Sequence, residues 1–199
     1  MPWRPPYITE TELADFVRTD QIVESPRLIL AAEAASRAVD GATNRQFGKE
    51  ASPVLRSYVG RVNSRIGRWW APIDDLQDMT GLEVVVAGVT VTDFRFEPVN
   101  AGPDGKPYTR IIFGPDAEAT PGGTDPDIEM TAAWGWNETP GTVVEATLLQ
   151  GSRFFERMKS PFGVAGSPEL GSELRLLERA DPDVAVMVQK FVRDRVTIA

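Results

Sequence analysis

The sequence contains neither cysteine nor histidine. The first absence excludes disulfides, thiolate nucleophiles and cysteine-ligated metals. The second excludes histidine-based triads and histidine-ligated metals. Most common hydrolase and redox chemistries are removed together with these two residue types. Carboxylate catalysis and an oxygen-only cation site are the chemistries that remain.

Long hydrophobic runs are also missing. No apolar run approaches the roughly 18 residues that a membrane-spanning helix requires. The N-terminal sequence "MPWRPPYITETEL" lacks the apolar segment of a secretory signal. We therefore expect no membrane partner, and synthesis and residence in the cytoplasm of the producing cell.

The chain has no excess of basic residues, because 21 Lys and Arg stand against 29 Asp and Glu, for a net charge of −8. A protein whose main task is gripping nucleic acid usually presents a basic face. The acidic balance instead favours solubility, or a surface that lets a polyanion pass without adhering.

Helical patterns occupy the N-terminal part of the chain. A capping box, T-x-x-E, begins at Thr9 and predicts a short amphipathic helix. A second helix is predicted to begin at Ser25-Pro26 and to end near Phe47, with Gly48 in the C′ position. Its apolar stripe consists mostly of alanine, which permits close approach of another helix. The stripe comprises Leu28, Ala31, Ala32, Ala35, Val39 and Ala42.

Helical patterns return in the C-terminal third. One helix is predicted to begin at Thr139-Pro140, and a last one at Asp181-Pro182. Each has an apolar stripe at helical spacing. The stripe of the first comprises Val144, Leu148, Gly151, Phe155 and Met158, and that of the second Val184, Val188, Phe191 and Val192.

Between residues 54 and 136 the pattern is that of strands. Five short segments rich in β-branched and aromatic residues are separated by turn sequences. They are "VLRSYVG", "LEVVVAG", "VTVTDFRF", "YTRIIF" and "IEMTAAW". The terminal helices are each too short to form a core alone. We therefore predict an α+β fold, in which residues 1–51 and 138–199 form a small helical bundle and residues 52–137 an inserted antiparallel β subdomain.

A carboxylate cluster of Asp74, Asp75 and Asp78 follows Trp69 and Trp70. A catalytic acid/base pair would need one raised and one ordinary pKa. A cation site would need further oxygen ligands at a defined spacing. Neither pattern is complete. The cluster is therefore predicted to be a solvated turn before a strand, and the sequence indicates no catalytic, cofactor-binding or metal-ligating residue.

The segment from Val54 to Ile73 combines arginines with aromatic residues and contains no acid. Such a combination is typical of a protein interface or of a nucleic-acid surface, and it also fits the outer face of a sheet. All three interpretations stay open on the sequence. The residues concerned are Arg56, Arg61, Arg65, Arg68, Tyr58, Trp69 and Trp70.

The segment "LLQGSRFFERMKSPFGVAGSPELG" suggests a helix with two apolar faces. Phe155 lies on the apolar stripe, whereas Phe154 lies about 100° away from it on a helical wheel. Arg153 and Arg157 lie one turn apart on another face. We predict that Arg153, Phe154 and Arg157 contact a neighbouring subunit, while Leu148 and Phe155 face the core. A core position for Phe154 is the alternative.

Five segments, taken in order along the chain, resemble the head-to-tail connector or adaptor (head completion) proteins of tailed bacteriophages. The resemblance is to the form with a β insertion that is typical of phages of actinobacteria. It covers nearly the whole chain, and its most specific part is the pattern "W-G-W-x-x-x-P…L-L-x-x-S-R-x-F-x-R-x-x-S-P-x-G". The segments are "ITETELADFV", "LILAAEAASRAVDGATNRQF", "IDDLQDMTGLEVVV", "GWNETPGTVVEATLLQGSRFFERMKSPFGVAG" and "DPDVAVMVQKF".

The resemblance implies a structural role without catalysis or a cofactor. Such proteins form a ring, commonly of twelve subunits, beneath the portal protein at the capsid vertex. The ring extends the DNA channel and receives the stopper or tail-completion protein, and DNA passes through its lumen without specific binding. The implied location is the virion neck, after synthesis in the cytoplasm of the host bacterium.

The C-terminal sequence "QKFVRDRVTIA" is apolar and basic. In the family that the chain resembles, such an end is an extended arm that inserts between portal subunits. The resemblance therefore assigns portal binding to Phe191, Val192, Arg193, Arg195 and Ile198. Two other classes of protein stay open: a monomeric binding module that uses the Arg/Trp-rich segment, and a carboxylate-dependent enzyme that uses the acidic cluster at residues 74–78.

Overall fold

The computed structural model describes residues 4–159, 164–165, 174–175 and 182–193. The chain divides into two compact units. Residues 48–138, with the N-terminal residues up to Pro5, form a β unit, and residues 6–47 and 139–199 form a helical unit. The described residues contain four α-helices and two four-stranded antiparallel sheets, which confirms the predicted α+β class.

The first helix begins as predicted. The Glu12 backbone N–H donates to the Thr9 hydroxyl at 3.2 Å, and the Thr9 backbone N–H donates to the Glu12 carboxylate at 2.7 Å, which confirms the capping box. The helices are α1 (Glu10–Val17), α2 (Gln21–Thr43), α3 (Gly141–Lys159) and α4 (Pro182–Val188), and a short 3₁₀ turn (Gln189–Phe191) follows α4.

Both predicted ends of α2 are wrong. The helix begins at Gln21, so Pro26 lies inside it, near its N-terminal end, where the missing N–H removes one helical hydrogen bond. It ends at Thr43, well before Phe47, because Asn44 adopts the left-handed conformation with φ 52°. Asparagine tolerates this conformation, so the stop does not need the glycine at position 48.

The helical core is built around the alanine stripe of α2. Five of the six predicted residues are buried, and only Ala42 is exposed. α1 and α3 both pack against α2, and small side chains on α2 permit this close approach. The core cluster comprises Ile8, Leu13, Ala14, Leu28, Ala31, Ala32 and Phe155.

The strands of the β unit are β1 (Val54–Tyr58), β2 (Arg61–Asn63), β3 (Arg68–Leu76), β4 (Glu83–Val86), β5 (Val89–Thr90), β6 (Phe94–Glu97), β7 (Tyr108–Phe113) and β8 (Ile128–Ala132). All five predicted β segments form strands, and "VTVTDFRF" forms two, β5 and β6, whereas β2 and β3 were not predicted. The first sheet has the order β1–β8–β4–β5 and the second β2–β3–β7–β6. Two two-residue strands, β9 (Val164–Ala165) and β10 (Leu174–Arg175), pair in the helical unit.

Both four-stranded sheets bury one face in the same core cluster. Its largest member is Trp134, whose indole N–H donates to the Val54 carbonyl at 2.8 Å. The first and last segments of the β unit, residues 48–50 and 134–136, are hydrogen-bonded to each other beside Trp134. The Trp136 N–H donates to Gly48 O at 3.1 Å, and the Glu50 N–H donates to Trp134 O at 2.8 Å.

Candidate functional site

The acidic cluster does not form the predicted solvated turn, because Asp74 and Asp75 lie within β3. The Asp74 carboxylate accepts hydrogen bonds from the Arg56 guanidinium at 2.7 Å and from the Tyr58 hydroxyl at 3.1 Å. Asp75 is buried, and its carboxylate accepts from the Trp136 indole N–H at 2.9 Å. Successive strand residues point to opposite faces, so the two carboxylates are separated.

Asp78 follows β3 and has partners of its own. Its carboxylate accepts from Lys49 Nζ at 2.7 Å and from the Thr80 N–H at 2.8 Å, and these hydrogen bonds hold its pKa well below the ordinary value. In the part of the chain that the structure describes, no group of three acidic side chains is placed to hold a metal ion. The three aspartates therefore form separate structural contacts and give no support to carboxylate catalysis.

The Arg/aromatic segment is divided between the core and the outer face of the second sheet. Trp69 packs against the β core. Trp70 points the other way, and the guanidinium groups of Arg110 and Arg61 lie 4.7 Å and 5.7 Å from its ring centroid. The strand register places Arg61, Trp70, Ile112 and Arg95 side by side across four strands. Trp70 and Arg61 therefore lie on the outer face of the sheet, which is one of the three interpretations left open by the sequence.

A groove of about 380 Å³ lies on this outer face. Its charged groups are three arginines and one carboxylate, that of Glu97, which pairs at 3.4 Å with both Arg95 and Arg110. We call the outer surface formed by Arg61, Arg68, Trp70, Arg95 and Arg110 the arginine face. The groove itself is lined by Val62, Asn63, Ser64, Ile66, Arg68, Trp70, Arg95, Glu97, Arg110 and Ile112.

Helix α3 places the two adjacent phenylalanines differently. Phe155 is fully buried in the helical core, as predicted. Phe154 is half-buried and packs against the edge of the same cluster, and Arg153 and Arg157 are also half-buried. Met158, which was predicted to lie on the buried stripe, is 38% exposed. The fully buried face of α3 comprises Val143, Ala146, Thr147, Gln150, Gly151 and Phe155.

The first part of the predicted portal-binding arm is attached to its own chain. The Phe191 ring packs edge-on against Phe47 with centroids 5.6 Å apart, and the Arg45 Nε–H donates to the Phe191 carbonyl at 2.6 Å. The Arg193 N–H donates to Thr43 O at 2.8 Å, and Val192 is 43% exposed. These contacts bind the chain through Arg193 to the residues at the end of α2. Arg195 and Ile198 lie outside the described residues.

Comparison with known proteins gives no match: no protein-family model, curated protein or solved structure matches this chain. Within the described ranges, no helix has both the length and the apolar character needed to cross a membrane.

Proposed function

We propose that this protein is a non-enzymatic structural component of a tailed-bacteriophage particle. In this proposal it forms a ring, commonly of twelve subunits, beneath the portal protein in the virion neck. The ring extends the DNA channel and receives the stopper or tail-completion protein. The observation that carries the proposal is the ordered resemblance of five sequence segments to the connector family over nearly the whole chain.

Exposed apolar side chains on the helical unit support an assembled state. Phe16 on α1 is 44% exposed, and Ile29 and Leu30 on α2 are 40% and 56% exposed. A closed ring requires two different contact surfaces on every subunit. The half-buried surface of α3 at Arg153, Phe154 and Arg157 supplies one candidate, and the exposed apolar residues of α1 and α2 supply another. The net charge of −8 suits a channel through which DNA must move.

The α3 surface is tested with Arg157→Glu and Phe154→Ala, using Phe155→Ala as the matched control. Phe155→Ala removes a fully buried ring and should destabilise the protein by about 3–5 kcal/mol. Arg157→Glu should leave the free energy of unfolding nearly unchanged, and Phe154→Ala should lower it by about 1 kcal/mol. Both should reduce ring formation seen by negative-stain electron microscopy with portal-bearing capsids. Normal rings from both variants would exclude α3 as the interface.

The portal-binding arm requires a truncation placed after Arg193. A cut after Lys190 also removes the contacts of Phe191 with Phe47 and Arg45, so it would disturb the folded chain itself. The chain ending at Arg193 should keep its melting temperature and should fail to join portal-bearing capsids. If this truncated chain joins capsids as well as the full chain does, residues 194–199 have no part in portal binding.

The groove on the arginine face favours a second candidate, a monomeric binding module. This function requires the full chain to remain monomeric at high concentration and to bind a peptide or a sugar through Trp70. Sedimentation velocity with and without the portal protein distinguishes the two functions, because only the connector must self-associate or assemble on the portal. Trp70→Ala should abolish ligand binding by the module, whereas it leaves a connector able to join capsids.

A further inference from the structure

Two arginines of the arginine face lie at neighbouring positions without a counter-charge. Arg61 on β2 is paired with Trp70 on β3, and Arg68 precedes Trp70 by two residues. Such diagonal positions on adjacent antiparallel strands are roughly 7–8 Å apart. Among the described residues, neither arginine forms an ion pair, whereas Arg95 and Arg110 share Glu97.

The outer face of the first sheet has the opposite charge in the same arrangement. Glu83 on β4 is paired with Thr131 on β8, and Glu129 precedes Thr131 by two residues. Both glutamates are exposed, and neither forms an ion pair within the described part of the chain. We call this surface, with Glu83, Glu129, Leu55 and Val85, the glutamate face.

Apolar side chains accompany both pairs of charges. Ile66, at 55% exposure, lines the groove of the arginine face. Leu55, at 56% exposure, stands in one cross-strand row with Glu83 on the glutamate face. Like charges at neighbouring positions of a sheet are unfavourable unless an opposite charge approaches them. The two faces therefore match in charge, in diagonal spacing and in apolar content.

We propose that the arginine face of one copy binds the glutamate face of a second copy, so that Arg61 and Arg68 pair with Glu83 and Glu129. Both sheets bury their inner faces in one core, so the two outer faces are separate surfaces of the same unit. The contact is therefore head-to-tail and leaves one face of each kind free on every pair, which allows association to continue until a ring closes. Ring closure rests on the proposed connector function, whereas the pairwise contact does not.

A copy of the chain fits the arginine face better than nucleic acid does. Proteins bind single-stranded nucleic acid by stacking its bases on accessible aromatic rings. The Trp70 ring is instead approached by Arg61 and Arg110. The net charge of −8 also disfavours the approach of a long polyanion, whereas it leaves many carboxylates to be matched between subunits.

Charge reversal with rescue tests this contact by sedimentation velocity of the full chain over a range of concentrations. Arg61→Glu with Arg68→Glu should weaken self-association by about tenfold or more, as should Glu83→Arg with Glu129→Arg. Combining all four substitutions in one chain, or mixing the two double variants, should restore association to within about threefold of the original. A control, Lys106→Glu, reverses an exposed charge that lies on neither face and should leave association unchanged.

Absence of rescue in chains that melt like the original would overturn the contact, as would an original chain that stays monomeric at every concentration. Loss of DNA binding without loss of self-association in Arg61→Glu with Arg68→Glu would assign the arginine face to nucleic acid. The sedimentation experiment contains no portal or capsid, so it tests the pairwise contact independently of the connector function. If the charge swap restores association but the protein never joins capsids, only the connector function is overturned. If the charge-reversed variants join capsids as well as the original chain does, only the contact is overturned.

Discussion

The helical unit and the β unit differ in the size of the side chains along their central elements. The helical core combines the alanines of α2, including Ala31, Ala32 and Ala35, with larger residues such as Leu13 and Phe155. The β core rests on large side chains such as Trp134 and Phe113. Close approach of backbones stabilises the first core, and side-chain volume fills the second. We therefore expect enlargement of a buried alanine to disturb the helical core, and truncation of a large aromatic side chain to disturb the β core.

The largest effect is expected in the β unit from Trp134→Ala. Removing this buried indole leaves a cavity and an unpaired Val54 carbonyl, so the free energy of unfolding should fall by about 3–5 kcal/mol. Urea denaturation measures the change. Trp70→Ala is the matched control, since this ring lies on the outer face and its loss should cost about 1 kcal/mol. Equal losses for the two tryptophans would contradict the assigned core.

The complementary test enlarges the helical core with Ala35→Leu. Ala35 is fully buried on α2, so the added atoms must separate packed helices and should destabilise the protein by about 1–3 kcal/mol. Ala42→Leu on the same helix is the control, because Ala42 is exposed and leucine is a good helix former. Thermal melting compares the two variants. If Ala35→Leu is tolerated as well as Ala42→Leu, the helical core does not depend on close approach.

The buried Tyr7 of the helical unit and the half-buried Tyr58 of the β unit predict a loss of stability at alkaline pH. Burial, followed by the hydrogen bond to Asp40, raises the pKa of Tyr7 above its usual range. Burial, followed by the charge of Asp74, does the same to the pKa of Tyr58. Both phenols are neutral in either state below about pH 10, so stability is intact there. Above that pH only the unfolded chain ionises, and stability should fall by up to about 1.4 kcal/mol per pH unit for each tyrosine.

Urea midpoints measured at about pH 9 and about pH 11 check this expectation. Tyr7→Phe should have a shallower decline with pH than the original chain, because one of the two shifted groups is gone. Tyr58→Phe should behave likewise. An unchanged slope in both variants would show that these phenols do not control the alkaline loss.

The smallest expected effect concerns the start of α1. Thr9→Ala removes the hydroxyl that accepts the Glu12 N–H, and it should lower the free energy of unfolding by about 1 kcal/mol. Thr9→Ser keeps the acceptor and should cost less. Thermal melts of the two variants decide the point. A Thr9→Ser variant as unstable as Thr9→Ala would mean that packing of the methyl group, rather than the capping hydrogen bond, matters at this position.

Features set by neighbouring residues were predictable from the sequence. The capping box at Thr9 needs only residues within one turn, and the alanine stripe of α2 follows from helical spacing alone. β3 was not predicted, because Pro72 and the two aspartates in "RWWAPIDDL" are poor strand formers. Their carboxylates are satisfied by partners distant in sequence, such as Arg56 and Trp136, which no local pattern indicates.

The candidate surfaces were predictable only in part for the same reason. Arg61 and Trp70 belong to one short segment, so their association was visible in the sequence. Arg95 and Arg110 join them only through the register of β6 and β7 against β3. Similarly, the packing of Phe191 on Phe47 joins residues from opposite ends of the chain.

The joined ends of the β unit have a consequence for the order of folding. Lys49 pairs with Gly135, where φ is +113° and a Cβ would lie 1.9 Å from Gly48 O, so only glycine permits the junction. While residues 48–138 are unfolded, bringing α2 and α3 together closes a long loop, at an entropic cost of about 4 kcal/mol. Once the β unit has folded, its two ends are held one strand spacing apart. The pairing of α2 with α3 then becomes a nearly local event, and such events are fast.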